Sequence, residues 1–95
     1  MHYYHYQLDL GAYDIVQVSL NKQAFLRLMK DKDYEKYRFG EEYKFHGGLA
    51  TVSPANVKAP KAGKWHLVVD QGGKEGDIEV KVNILKDRAP KPKKK

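Results

Sequence analysis

The feature that most constrains this chain is a two-residue alternation of apolar and polar side chains, repeated in short runs between turn-forming residues. In a β-strand successive side chains point to opposite faces, so each such run presents one apolar face. In "HYYHYQLDL" Tyr4, Tyr6, Leu8 and Leu10 share one face, and the other is polar apart from Tyr3. In "DIVQVSL" Val16, Val18 and Leu20 lie opposite Gln17 and Ser19. The run "AFLRLM" sets Ala24, Leu26 and Leu28 against Phe25, Arg27 and Met29. "GAYD" and "NKQ" read as the intervening turns. Three strands joined by turns this short predict antiparallel pairing.

The alternation lapses at "DKDYEKYRFG". Asp31 or Asp33 can cap a helix N-terminus and Gly40 can close a C-terminus. With Tyr34, Tyr37 and Arg38 at i, i+3 and i+4, one or two helical turns are predicted over residues 31–39. Beyond it, "EYKFHGG", "LATVS", "ANVKA" and "KAPKAG" predict short strands punctuated by Gly47–Gly48 and Ser53–Pro54. Trp65, Leu67 and Val69 then alternate with His66, Val68 and Asp70. Because Val68 is apolar too, a central strand buried on both faces is predicted. Ile78, Val80, Val82 and Ile84 alternate with Glu79, Lys81 and Asn83, a strand with one wet face. Gly72, Gly73 and Gly76 supply positive φ for the loop of a final hairpin, and Trp65 anchors the core. The fold class expected is all-β: an antiparallel β-sandwich, jelly-roll-like, of seven to eight short strands with one helical insert near residues 31–39. One domain is expected over residues 1–85.

The net charge of +6 suggests a polyanion partner until it is located. Residues 86–95, "KDRAPKPKKK", hold five Lys, one Arg and one Asp, a charge of +5, which leaves +1 for the other 85 residues. The domain is nearly neutral and the basic Lys/Pro-rich end is expected to be a disordered tail. Nucleic acid is then expected to bind only weakly, through Lys91, Lys93, Lys94 and Lys95. The near-neutral domain argues against the basic groove of a single-strand-binding barrel. Cysteine is absent, which removes disulfides, thiolate zinc sites and cysteine nucleophiles and fits a cytoplasmic location. No run approaches the length of a membrane span, and "MHYYHYQLDLG" has no signal-peptide pattern, so no membrane association is expected.

Candidate chemistry is sparse. In a strand His2 and His5 fall on opposite faces, His46 precedes Gly-Gly and His66 follows Trp65. No carboxylate–histidine grouping has ligand spacing, so neither metal nor cofactor is expected. Ser19 is mid-strand and Ser53 precedes Pro54, neither on a nucleophile elbow. "GGKEG" lacks the spacing of a phosphate loop and leads into a strand. Asp70 stands at a strand end beside the glycines, where its ordinary role is to accept backbone N–H bonds. An enzyme would have to use Asp70 and His66 as acid and base. They share a face but lie about 13 Å apart by strand rise, too far for one relay. The tyrosines suit packing and recognition alike. The best candidate binding patch is Tyr34, Tyr37, Arg38 and Phe39 in the insert, which no strand needs for closure, with Asp70 and His66 as further candidates. A non-enzymatic binding or sensing module with an unidentified protein partner is the function expected.

The segments "HYQLDLG", "DIVQVSL", "LRLMKDKDYEKYRFG", "HGGLATVSPANVKAP" and "AGKWHLVVDQGGKEG" occur in that order. Together they resemble a small bacterial family of domains of unknown function, found alone and fused N-terminal to TIR domains. The resemblance runs from residue 2 to about residue 85. It is carried by Leu10–Gly11, Leu28–Met29, Tyr37, Gly40, Gly47–Gly48, Ser53–Pro54, Gly63, Trp65, Val69–Asp70, Gly72–Gly73 and Gly76. The third strand departs from it, reading "AFLRLM" where an Ala-Asn-Val start is expected. The resemblance implies a compact β-sandwich, a bacterial origin and a sensor or adaptor feeding an effector, and it brings no catalytic residues.

Overall fold

The computed structural model describes residues 3–73 and 76–86. Along them run β1 (Tyr3–Leu10), β2 (Ile15–Leu20), β3 (Ala24–Met29), α1 (Asp31–Arg38), β4 (His46–Ala50), β5 (Ala55–Lys58), β6 (Gly63–Asp70) and β7 (Val80–Leu85). Two sheets form, ordered β1-β6-β3-β4 and β5-β2-β7, and every pair is antiparallel. The fold is the β-sandwich with a short helical insert that the alternation predicts.

The inner faces are also those that the alternation selects. Leu10, Leu26, Leu28, Trp65, Leu67 and Val69 of the larger sheet meet Val16, Val18 and Val57 of the smaller one. Tyr6, Leu8, Val80, Val82 and Ile84 pack around them, half-buried. β6 is the central strand expected, buried from Trp65 to Asp70. Trp65 lies in the core with its indole N–H donating to the Lys61 carbonyl at 3.1 Å.

Connectivity departs from the expectation. The short turns after β1 and β2 do not close hairpins: β2 pairs with β5 and β7, while β1 and β3 both flank β6. The first turn crosses between sheets, with Asp14 accepting the Gly11 N–H at 2.7 Å and Tyr13 at φ +69°. Its position is fixed by Tyr13 and Asp14 bonding backbone to backbone with Ala59. The final hairpin is likewise a crossover. Both edges of β6 are occupied by β1 and β3, so the chain must leave that sheet, and β7 pairs with β2. Gly72, Gly73 and Gly76, at φ +70°, +87° and +103°, serve that crossover.

Between α1 and β6 only β4 and β5 form, and "KAPKAG" is not a strand before Gly63. Gly47 and Gly48 lie within β4, opposite Arg27 and Leu26, and not in a turn between strands. Their role is close approach: a Cβ on Gly47 would stand 2.3 Å from the Leu26 carbonyl oxygen, at φ +123°. Gly47→Ala is therefore expected to destabilise the fold by at least the ~1–3 kcal/mol of such backbone strain, read as a lower urea midpoint at unchanged m-value.

Candidate functional site

The outer face of the larger sheet carries Tyr3, His5 and Gln7 from β1, His66, Val68 and Asp70 from β6, and Phe25, Arg27 and Met29 from β3. Helix α1 lies over it. None of its residues is buried, and eight residues are too few for a helix to persist alone, so its anchors to the sheet hold it. Neither acidic residue caps the helix. Lys30 is the N-cap, without a side-chain bond. Asp31 bonds instead to His66 Nε2, and Asp33 accepts the Lys44 N–H at 3.0 Å. Both carboxylates are committed to tertiary contacts that sequence spacing does not reveal. At the other end Gly40, at φ +75°, donates to the Tyr37 carbonyl as its predicted closing role requires.

Two polar clusters lie beneath α1. In the first, His5 Nε2 and His66 Nδ1 are 2.7 Å apart, with the imidazole planes 11° from parallel. His5 stands opposite Val68 and Gln7 opposite His66, so the two histidines are diagonal neighbours across the β1–β6 pair. The Tyr34 ring stacks over both, at 4.1 Å from His5 and 4.5 Å from His66. Its hydroxyl lies 3.2 Å from His5 Nδ1 and 3.2 Å from the Tyr3 hydroxyl. With both rings neutral, one proton arrangement satisfies the cluster. His66 Nε2–H donates to Asp31, His66 Nδ1 accepts from His5 Nε2–H, and His5 Nδ1 remains an acceptor. Burial, then the charges of His66 and Arg38, hold the His5 pKa below that of a free imidazole. The bond from His66 holds the Asp31 carboxyl below its usual range. Burial and the bond to Tyr3 push Tyr34 up to about 12.

The second cluster centres on Asp70. One carboxylate oxygen accepts the Gly72 N–H at 2.7 Å, the turn role expected for this residue. The other accepts from Arg27 Nη1 at 3.3 Å and from the Tyr37 hydroxyl at 3.4 Å. The Arg27 guanidinium lies 5.0 Å from the Phe25 ring centroid, 5.7 Å from Phe45 and 5.9 Å from Tyr37. Among the described residues its Nε is buried with no hydrogen-bond partner. Burial, then the charge of Asp70, pushes Tyr37 up to about 12.

Beside this cluster a cleft of about 530 Å³ opens between Tyr3, Tyr37, Arg38, Gly40, Glu41 and Tyr43. The Tyr37, Tyr43 and Phe45 rings follow one another at 5.1 and 5.7 Å. Phe39 is 69% exposed, and Arg38 is exposed and pairs with Glu35 at 3.3 Å. The predicted patch is thus divided, with Tyr34 and Tyr37 turned onto the sheet and Arg38 and Phe39 turned to solvent. Asp70 and His66 share the outer face of β6 but belong to separate clusters. His5, Asp31, Arg27, Tyr3 and Tyr43 are the site residues that sequence reasoning missed. The one signal for His5 and Tyr3 is that they share a parity in β1 with no apolar role. His46 lies edge-on to Trp65, centroids 5.7 Å apart. His2, Lys91, Lys93, Lys94 and Lys95 lie outside the described residues. Among the described residues, no three His, Cys, Asp or Glu side chains are arranged to hold a metal ion, and no helix is long and apolar enough to cross a membrane.

A family model described as "Domain of unknown function (DUF1883)" matches residues 1–88. No curated protein and no solved structure matches the chain.

Proposed function

Since the chain belongs to the DUF1883 family of domains of unknown function, we propose, from its geometry, that it is a non-enzymatic binding or sensing module whose recognition surface is the α1-covered outer face. The observation that carries this reading is that α1 buries none of its residues, yet it builds one wall of an aromatic cleft with a guanidinium at the rim. Tyrosine and arginine are the residues that dominate recognition surfaces, because they combine large contact area with polar handles. The cleft suits an apolar side chain of a protein partner seated against Tyr37 and Tyr43, with an acidic group meeting Arg38. The partners of the two clusters support a non-catalytic role. Asp70 is engaged by Gly72, Arg27 and Tyr37, and His66 bridges Asp31 and His5. The resemblance to bacterial domains that stand alone or precede TIR domains adds the proposal that such a partner links the module to a signalling or defence effector.

Capture from a lysate of the encoding organism tests this. The wild-type chain and a Lys81→Glu variant, altered on the opposite sheet, are expected to retain the same discrete protein. The pair Arg38→Glu and Phe39→Ser is expected to lose it with an unchanged melting temperature, since both side chains are exposed. Equal retention by all three chains, or no discrete protein on the wild type, would overturn the reading.

A further inference from the structure

We propose that the His5–His66 pair is a proton-operated latch on α1, holding the helix down when the pair carries at most one extra proton and releasing it when both rings become cations. The latch rests on the binding reading only for its consequence, which is to withdraw or present the cleft wall.

The geometry limits what the pair can hold. The 2.7 Å contact joins two ring nitrogens in nearly coplanar imidazoles, and one hydrogen fills it. A single added proton has a place on His5 Nδ1, where the Tyr34 hydroxyl can turn from donor to acceptor. A second proton would set two N–H groups against each other and join two cations at hydrogen-bond distance, so the bond must break. An undocked pair has no such limit, because without the Tyr34 ring over them the two imidazoles can turn apart and each can take its own proton.

The surrounding charges decide the rest. From α1, Asp31 bonds to His66, and the Arg38 charge opposes protonation of His5. From β1, Tyr3 reaches the cluster through the Tyr34 hydroxyl and sets its ring edge-on to Tyr37. Lys30 after β3 and Lys64 in β6 act on Asp31 and help to keep it ionised. Arg27 of β3 and Asp70 of β6 pair with each other. The lowered His5 pKa gives the same sign as the geometry. The undocked state binds more protons as the pH falls below about 6.5, so docking is favoured above that value and lost below it. Each proton withheld by the docked form costs up to about tenfold in the docking constant per pH unit.

Helix α1 is the element that can yield. Its anchors at the N-terminal half are Asp31 on His66 and Tyr34 over both imidazoles, and both meet the pair directly.

Amide hydrogen exchange on the full chain from pH 7.5 to pH 5.0, corrected for intrinsic exchange, tests the latch. Protection of the Tyr34 and Phe39 amides, which bond to Lys30 and Glu35 carbonyls, is expected to fall tenfold or more. Amides of β3 and β6 should keep theirs. His5→Phe retains a ring under Tyr34 but accepts no proton, and is expected to remove the fall. Constant α1 protection in the wild type, or the same fall in His5→Phe, would overturn the proposal. Should that variant not fold, ring-proton NMR of the wild type decides. Two separated titration steps for His5 and His66 support the latch, and two independent titrations near 6.5 contradict it. No partner enters these measurements, so the latch can stand if the cleft binds nothing and fail if the cleft binds at every pH.

Discussion

Asp70→Ala is expected to destabilise the domain by about 3–5 kcal/mol, the cost of removing one member of a buried ion pair. Asp70 is 5% exposed. Its carboxylate accepts from Gly72, Arg27 and Tyr37, so the substitution leaves three donors without their acceptor. The heaviest loss falls on Arg27, whose side chain is 17% exposed and whose Nε already lacks a partner among the described residues. A guanidinium held among Phe25, Tyr37 and Phe45 would then keep only ring contacts. Because the loss comes from a stranded charge, it should be partly reversible. Adding Arg27→Met to Asp70→Ala is expected to recover part of the stability, since a buried pair replaced by apolar groups is often close to neutral. Urea unfolding of the two single variants and the double variant measures this coupling. Additive losses would show that Asp70 matters for the turn at Gly72 and not for Arg27.

Trp65→Ala should cost a similar amount, about 3–5 kcal/mol, by a different route. Trp65 is 2% exposed on the inner face of the central strand, with Leu8 of β1 opposite it. Its removal leaves a cavity that strands paired on both sides cannot close, and strips the Lys61 carbonyl of its indole donor. The Lys30 ammonium, 5.0 Å from the ring centroid, loses its aromatic partner as well. For a domain of this size, stabilities run only to about 5–15 kcal/mol. Thermal unfolding of Trp65→Ala should therefore begin far below that of the parent, whereas Trp65→Phe should fall between the two.

The parts of this fold legible in the sequence are those that depend on local periodicity. Val16 and Val18, Leu26 and Leu28, and Leu67 and Val69 all declare their inner faces by parity alone. Pairing is not local, and there the reading failed. The segments after β1 and after Asp70 look like hairpin turns, because a short polar loop with glycine can as well cross between two packed sheets. What forbids the last hairpin is that β1 and β3 already occupy both edges of β6, a fact that no window of the sequence contains. The glycines of β4 misled in the same way. Gly-Gly suggests punctuation, but Gly47 is needed for the approach of its backbone to Leu26.

The site shows the same division. The insert from Asp31 to Phe39 stands out because it breaks the alternation, and it does border the cleft. The histidine pair was invisible, because His5 and His66 are 61 residues apart and meet only through β1–β6 register. Asp31 looked like a cap because capping is the commonest use of an acid before a helix. The better acceptor bond was offered by a histidine in another strand.

The binding role proposed for the α1-covered outer face requires that a protein partner contact the rim of the cleft at Phe39. Site-specific crosslinking in the encoding organism tests it most directly. A photoreactive benzoyl-phenylalanine is placed at Phe39 in one chain and at Lys81, on the opposite sheet, in another. The account predicts one discrete crosslinked protein from position 39 and none from position 81. A crosslink from position 81 alone, or from neither position, would contradict it.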